Sequence, residues 1–277
     1  MDLLKNEIPL HSVYLISEFK EKQEQSVKLK PKQKTRICFY TYTLLIIGQK
    51  PISKSLGDFM DDLYGKMGQK CRVYIIYYAL PNVKRAMDEG DNFLSRTIHK
   101  TPCLFRADNQ LTYMSGSKPF FHISVYGEIK QVWDIRIQRA DYLLSILNTI
   151  EPNESAISGI ATMHHALEQI CLGLLYLFWE FRPQHYALPY MLHLCSHFTD
   201  LPKELFPKAT YGLHRMHYML CNAHHIMRFK TGKEFSTKDA DKAYNRCVRF
   251  YEQARELGEK QLKKLKALHC LPESLKT

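Results

Sequence analysis

The chain has 277 residues, of which 45% are hydrophobic and 12% aromatic, and its formal net charge at pH 7 is +11. This length and composition leave room for two folded domains and exclude a disordered chain. The excess of basic residues favours an anionic partner such as nucleic acid, although a solvated basic surface produces the same charge.

No apolar run reaches the ~18 residues of a membrane span, and the N-terminus has no long apolar stretch typical of a secretory signal. The eight cysteines are scattered and include no Cys-x-x-Cys pair. This usage is typical of the reduced thiols of a cytosolic protein. The sequence therefore predicts a cytoplasmic protein without a membrane segment.

Residues 1–118 have the pattern of a mixed α/β domain. Stretches rich in Val, Ile, Tyr and Thr predict strands at 12–17, 36–47, 72–78 and 103–106. Apolar residues at helical spacing predict helices at 53–67, 83–89 and 92–99.

Residues 18–34 are rich in charged side chains and lack apolar periodicity, which predicts a mobile basic loop. Candidate contacts to nucleic acid in this loop are Lys28, Lys30, Lys32 and Lys34.

A Gly-Ser-Pro stretch at 115–119 marks a break, after which the pattern is helical. Helices are predicted at 122–149, 154–181, 187–198, 208–230 and 236–268. The predicted fold is therefore an α+β domain over residues 1–118 followed by an all-α helical bundle over 119–277.

Residues 155–265 carry an ordered set of features. The first long helix contains His164, His165 and Glu168 in the order His-x-Ala-x-Glu, and it leads into an aromatic-Arg-Pro loop at Arg182. A Leu-rich helix, a Phe-Pro stop and two long helices follow. This order resembles the HEPN domain, a small helical module of prokaryotic toxins, antitoxins and RNA-cleaving enzymes. The resemblance implies a homodimer paired through its helices, and His164, His165, Arg182 and His185 become candidate contacts to a nucleotide or RNA.

The first half resembles the minimal nucleotidyltransferase domain that often precedes HEPN in one polypeptide. Active members have Gly-Ser after the first strand and Asp-x-Asp on the second, because carboxylate oxygens hold the Mg²⁺ ions of the reaction. Here Ile16 stands before Ser17, and Thr41 and Thr43 occupy the two acid positions. The resemblance therefore implies a transferase-like fold without transferase activity. Ser17, Thr41 and Thr43 remain candidate nucleotide contacts.

Active HEPN ribonucleases carry an Arg-x4–6-His motif, in which arginine stabilises the cleaved phosphate and histidine moves a proton. Here eight residues separate Arg215 from His224, so the family spacing is absent. An enzyme would need Arg215 or Arg228 together with His224 or His225 in another arrangement.

Nine of the thirteen histidines lie between residues 164 and 225. His214, His217, Cys221 and His224 recur on one face of a predicted helix, a spacing that can hold a transition metal. Any buried helix face produces the same spacing, and no His-Glu-x-x-His motif accompanies it. We therefore predict neither a metal nor a cofactor.

Three functional hypotheses follow. The first is a non-catalytic nucleotide-, RNA- or partner-binding protein of the nucleotidyltransferase–HEPN type, related to toxin–antitoxin or stress and defence systems. The second is a metal-independent HEPN-type endoribonuclease with an atypical Arg/His site. The third, a transferase with acids from Asp58, Asp61 or Asp62, is the weakest, because a helix start favours acids in any case.

Overall fold

The computed structural model describes residues 1–26, 34–113, 119–149, 156–229 and 235–270. The chain divides into two compact units, 1–120 and 121–277, and the sequence places its break two residues before this boundary. The first unit is a mixed sheet with helices and the second is helical, which confirms the predicted fold class. Within the described residues, no helix is both long enough and apolar enough to cross a membrane.

The first unit is built on a four-stranded sheet. Its elements are α1 (Asp2–Glu7), β1 (Leu10–Ser26), β2 (Lys34–Gly48), α2 (Leu56–Lys66), β3 (Cys71–Ala79), α3 (Leu80–Asp88), α4 (Asn92–Lys100) and β4 (Cys103–Arg106). The strand order is β3-β2-β1-β4, with β2 and β3 parallel and the other pairs antiparallel. The core on one face joins α1 and α2 to the sheet through residues such as Leu4, Phe59 and Ile46.

The prediction of a mobile loop at 18–34 is wrong for residues 18–26 and 34, which the structure describes. β1 continues to Ser26, β2 begins at Lys34, and the two strands pair from Leu10 and Gly48 to Ser26 and Lys34. The main-chain hydrogen bonds of an antiparallel ladder do not require alternating apolar residues. Cross-strand side-chain pairs add support, because Lys20 Nζ lies 5.1 Å from the ring centroid of Tyr40.

Of the four lysines assigned to that loop, three lie outside the described residues and the fourth begins a strand. Lys28, Lys30 and Lys32 are the three outside. The backbone of Lys34 is described as the first residue of β2, and its side chain is not described.

The second unit is a bundle of helices. They are α5 (Ile123–Leu147), α6 (Ala156–Trp179), α7 (Leu188–Cys195), α8 (Leu201–Leu205), α9 (Tyr211–Cys221), α10 (Ala223–Phe229) and α11 (Thr237–His269). The longest three, α5, α6 and α11, correspond to helices predicted from periodicity. The short helices α1 and α8 were not predicted, since five or six residues are too few to show a helical repeat.

The prediction of a single helix at 208–230 is wrong, because α9 ends at Cys221 and α10 begins at Ala223. Asn222 lies between them with φ −111° and ψ 17°. Its backbone N–H and its side-chain amide both donate to the carbonyl oxygen of Tyr218, at 3.0 and 2.9 Å, so this carbonyl at the end of α9 is doubly bonded. Arg215 and His224 therefore lie on different helices.

Three long helices meet at the indole ring of Trp133 on α5, which is almost fully buried. A Cβ atom built on Gly173 of α6 would lie 3.1 Å from the ring, and one built on Gly258 of α11 would lie 2.0 Å from it. Gly258 therefore lets α11 approach α5 more closely than any other residue would allow, and Gly173 permits a tight contact of α6 with the same ring.

We expect Gly258→Ala to lower the free energy of unfolding by about 2–3 kcal/mol, because the added methyl overlaps a buried ring. Gly127→Ala on α5 is the matched control. Nothing lies within 4 Å of its added Cβ, so we expect a gain of roughly 0.5–1 kcal/mol. Urea denaturation followed by circular dichroism measures both, and equal stabilities would contradict the proposed packing.

Candidate functional site

One pocket of the helical unit combines arginine and tyrosine side chains. It lies between α5, α6 and the segment that follows α6, and its volume is about 300 Å³. None of its lining residues is acidic, and they are Val132, Ile135, Arg136, Arg139, Leu172, Tyr176, Phe181, Arg182, Pro183 and Tyr186. We call this the arginine pocket.

A tight turn at the end of α6 places Arg182 on the rim of the arginine pocket. Glu180 has a φ of 57°, in the left-handed region. Its N–H donates to the carbonyl of Tyr176 at 2.9 Å, and the N–H of Phe181 donates to that of Leu175 at 3.4 Å. The bond from Glu180 to Tyr176, with Glu180 in the left-handed region, is the pattern of an αL helix end. Because Phe181 is buried, the direction of the chain at Arg182 is fixed.

Arg182 and Tyr176 form a small network with Glu128 of α5. The Arg182 guanidinium lies 4.8 Å from the Tyr176 ring centroid and donates to Glu128 Oε1 at 2.7 Å. The Tyr176 hydroxyl donates to the same oxygen at 2.7 Å. Burial and this bond to Glu128 raise the pKa of Tyr176 to about 12, so the phenol stays protonated.

Positive charge in the arginine pocket is only partly compensated. Burial, followed by the charge of Arg139, lowers the pKa of Arg136, and the charge of Arg182 acts in the same direction. Arg136 donates to the side-chain oxygen of Gln169 at 2.8 Å, which is a neutral acceptor. Arg139 is exposed and, within the described part of the chain, forms no ion pair. An anion bound here would relieve the repulsion among the three guanidinium groups.

A second and larger opening adjoins the arginine pocket and shares Ile135 and Arg139 with it. Its volume is about 860 Å³. The lining residues come from α5 and α6, and they are Ile135, Gln138, Arg139, Asp141, Tyr142, Leu143, Ser145, His165 and Gln169. We call this the larger cleft.

A cluster of three histidines lies beside the larger cleft. The ring centroid of His224 on α10 is 4.5 Å from that of His164 and 4.6 Å from that of His165. His164 is buried and donates from Nδ1 to the carbonyl of Leu220 at 2.7 Å. His165 is exposed and donates from Nδ1 to Glu168 at 3.0 Å. The fold therefore joins residues that the sequence singled out on two separate segments.

Two histidines of this cluster, His164 and His224, favour the neutral form. Burial lowers the pKa of both His164 and His224. Repulsion from His164 and His165 lowers the pKa of His224 further, with a smaller effect from Arg228. Neutral imidazoles can accept hydrogen bonds from a ligand, but they add no permanent positive charge.

Other residues named from the sequence have different surroundings. Arg215 Nη2 lies 3.4 Å from Asp239, the residue that completes the capping box of α11 with Ser236. His225 is exposed, and its ring centroid lies 5.0 Å from that of Phe229. His185 is half-buried, and its ring lies edge-on to Tyr190.

The candidate nucleotide contacts of the first unit lie on paired strands. Ser17 pairs with Thr43 immediately after a register shift at Ile16, and Thr41 pairs with Phe19 and Arg72. Thr43 is fully buried, whereas Ser17 and Thr41 are half-buried. Position 43 is therefore not accessible to a ligand.

Among the described residues, no group of three or more His, Cys, Asp or Glu side chains is arranged to hold a metal ion. All eight cysteines are free thiols. The predicted stripe of His214, His217, Cys221 and His224 is interrupted where α9 ends.

Sequence reasoning missed most of the arginine pocket. Arg136 and Arg139 follow Val132 at helical spacing, on a face of α5 different from the buried stripe of Ile129, Trp133 and Ile137. Two arginines that continue an apolar stripe could have indicated a basic site on this face of α5. Their proximity to Arg182 depends on how α5 packs on α6, which periodicity does not reveal.

No protein-family model matches the chain, and no curated protein resembles it significantly in sequence.

The half-buried His217 should make stability depend on pH. Burial, with the positive charges of Lys208 and His214, lowers the pKa of His217 to about 4. In the unfolded chain the same group binds a proton near pH 6.5. Its contribution to the free energy of unfolding is therefore complete above about pH 6.5 and is lost as the pH falls towards 4.

We expect His217→Gln to reduce the loss of unfolding free energy between about pH 7 and 4.5 by about 1–2 kcal/mol. The exposed His225→Gln is the control and should follow the wild type. Denaturant melts at four or five pH values measure this, and parallel curves for wild type and His217→Gln would contradict the assignment.

Proposed function

We propose that the helical unit binds a nucleotide, free or at the end of an RNA strand, in the arginine pocket and does not convert it. The observation that carries this proposal is the convergence of Arg136, Arg139 and Arg182 with Tyr176 and Tyr186 on a pocket whose lining has no acidic residue.

The chemistry of the lining suits a nucleotide. Guanidinium groups donate paired hydrogen bonds to phosphate oxygens, and their charge favours an anion. Tyr186 is 57% exposed, so it offers a flat surface on which a base can stack. A pocket of about 300 Å³ lies at the lower end of the range for small-molecule sites.

The first unit also lacks two acidic residues that a nucleotidyltransferase would need to convert a bound nucleotide. The two positions at which a nucleotidyltransferase-like domain would carry Mg²⁺ ligands are occupied by Thr41 and Thr43, whose neutral hydroxyls are poor Mg²⁺ ligands. We propose that the chain is a non-catalytic protein of the nucleotidyltransferase–HEPN type, paired as a homodimer through its helices. On this proposal the first unit retains the fold of a transferase without its chemistry.

Fluorescence anisotropy with a labelled adenosine nucleotide tests the arginine pocket. Arg139→Gln should weaken binding about tenfold and make the affinity less dependent on salt, because one cation fewer faces the phosphate. Arg249→Gln removes the same charge from an exposed position on α11 and serves as the control. Equal weakening by the two substitutions would indicate a general effect of net charge and contradict the proposal.

A second candidate function is metal-independent RNA cleavage. One observation favours it, because His165, held by Glu168 at 3.0 Å, lines the larger cleft together with Arg139. A histidine and an arginine facing one phosphate are the minimum for such chemistry. The earlier pairing of Arg215 with His224 has weaker grounds, because Arg215 is paired with Asp239 on another helix.

We expect no RNA cleavage above background between about pH 5 and 8 in the presence of a chelator. The reason is that the family's Arg-to-His spacing is absent, and burial lowers the pKa of His164 and His224, which favours their neutral forms. The assay compares wild type with His165→Ala, Arg139→Gln and Arg215→Ala by gel electrophoresis of a labelled RNA. A bell-shaped pH profile, lost in His165→Ala and Arg139→Gln, would establish the ribonuclease instead.

A further inference from the structure

The larger cleft continues the arginine pocket along α5 and α6. The two openings share Ile135 and Arg139. A ligand that extends beyond one opening therefore reaches the other next to the exposed guanidinium of Arg139. A nucleoside monophosphate has one phosphate group and one nucleoside, and the smaller arginine pocket already offers partners for both. The larger cleft is therefore available to a further part of the same ligand.

The lining of the larger cleft differs from that of the arginine pocket. It contains one arginine, and most of its polar groups are neutral amides and hydroxyls, with Asp141 as its acid. Gln169 accepts from Arg136 through its side-chain oxygen, so its amide N–H groups point elsewhere and can donate. Ser145 donates to the carbonyl of Tyr142 at 2.8 Å and keeps its oxygen lone pairs as acceptors. Such a mixture of donors and acceptors suits the edge of a base or a ribose better than a phosphate.

An aromatic surface accompanies these polar groups. The side chain of Tyr142 is 66% exposed, although tyrosine is usually more buried than this. It lies on α5 one turn after Arg139, on the same face of the helix. A base stacked on Tyr142 would therefore lie next to a phosphate held by Arg139.

We propose that the larger cleft is a second nucleoside subsite, and that the ligand consists of two nucleosides joined through phosphate. The linking phosphate contacts Arg139, one nucleoside occupies the arginine pocket, and the other stacks on Tyr142. This inference rests on the proposed nucleotide binding and adds the class of ligand. Two sources share this chemistry, a 3′,5′-linked strand end and a dinucleotide joined by pyrophosphate.

Isothermal titration calorimetry of the full chain with three ligands tests the inference. The ligands are AMP, the 3′,5′-linked dinucleotide pApA, and P1,P2-diadenosine diphosphate. At least one of the two larger ligands should bind about tenfold more tightly than AMP, which is the usual effect of one additional stacked base. The identity of the tighter ligand distinguishes the strand end from the pyrophosphate-linked dinucleotide.

Tyr142→Ala should remove most of that advantage and leave the affinity for AMP unchanged. Tyr211→Ala is the matched control, since this tyrosine is 83% exposed and lines neither opening. Thermal melts of both variants verify that the fold is retained.

Affinities for both larger ligands no better than that for AMP would overturn the second subsite. Equal losses for AMP and the larger ligands in Tyr142→Ala would overturn it as well. In either case AMP still binds, so the proposed function stands. Failure of all three ligands to bind the wild type at low salt would instead refute the nucleotide-binding proposal on which the inference depends.

Discussion

The helical unit depends on the close approach of three helices around one indole ring. Trp133 is a large and rigid side chain, and it lies against a glycine of α6 and another of α11. Protein interiors are packed too densely for such a ring to be accommodated by small adjustments elsewhere. The contact therefore sets the distance and rotation of α5 relative to α6. Arg136 and Arg139 follow Trp133 by one and two turns, so the position of both guanidinium groups is a consequence of this packing.

The arginine pocket places like charges close together, and the fold holds them there by different means. Arg136 is half-buried and bound to a neutral amide, whereas Arg182 is bound to Glu128 on the rim. Arg139 is exposed on the surface of α5. Grouping cations opposes folding through mutual repulsion. A folded structure that contains such a group is stabilised when an anion binds to it. Nearby acids such as Glu128, which bonds to Arg182, and Asp141, which lines the larger cleft, do not line the arginine pocket.

The sequence predicts elements well where a repeat is long. The helices around 122–149, 154–181 and 236–268 have several turns of amphipathic pattern, and each corresponds to an observed helix. The prediction of one helix at 208–230 failed because the backbone of Asn222 leaves the helical conformation while its side chain bonds to the last turn of α9. The prediction of a loop at 18–34 failed because backbone pairing between β1 and β2 stabilises these strands without an alternation of apolar and polar residues.

The candidate site was predictable only in part, for a related reason. His164, His165 and His224 were identified by residue type, and the fold places their rings within 6 Å of each other. Arg136 and Arg139 were overlooked, because an arginine on a long helix is usually a solvated surface residue. What distinguishes them is the neighbouring helix and the turn at Glu180, and both are tertiary features.

The burial of Thr43 has an evolutionary consequence. Its side chain has no exposed surface in the central strand β2, between β1 and β3. An aspartate introduced there alone would place a carboxylate away from water without a compensating cation, at a cost of several kcal/mol. Replacing Thr43 by an acid would thus require further substitutions to open the sheet or supply a partner charge. A lineage with this sequence therefore does not acquire an acidic pair on β2 by single substitutions.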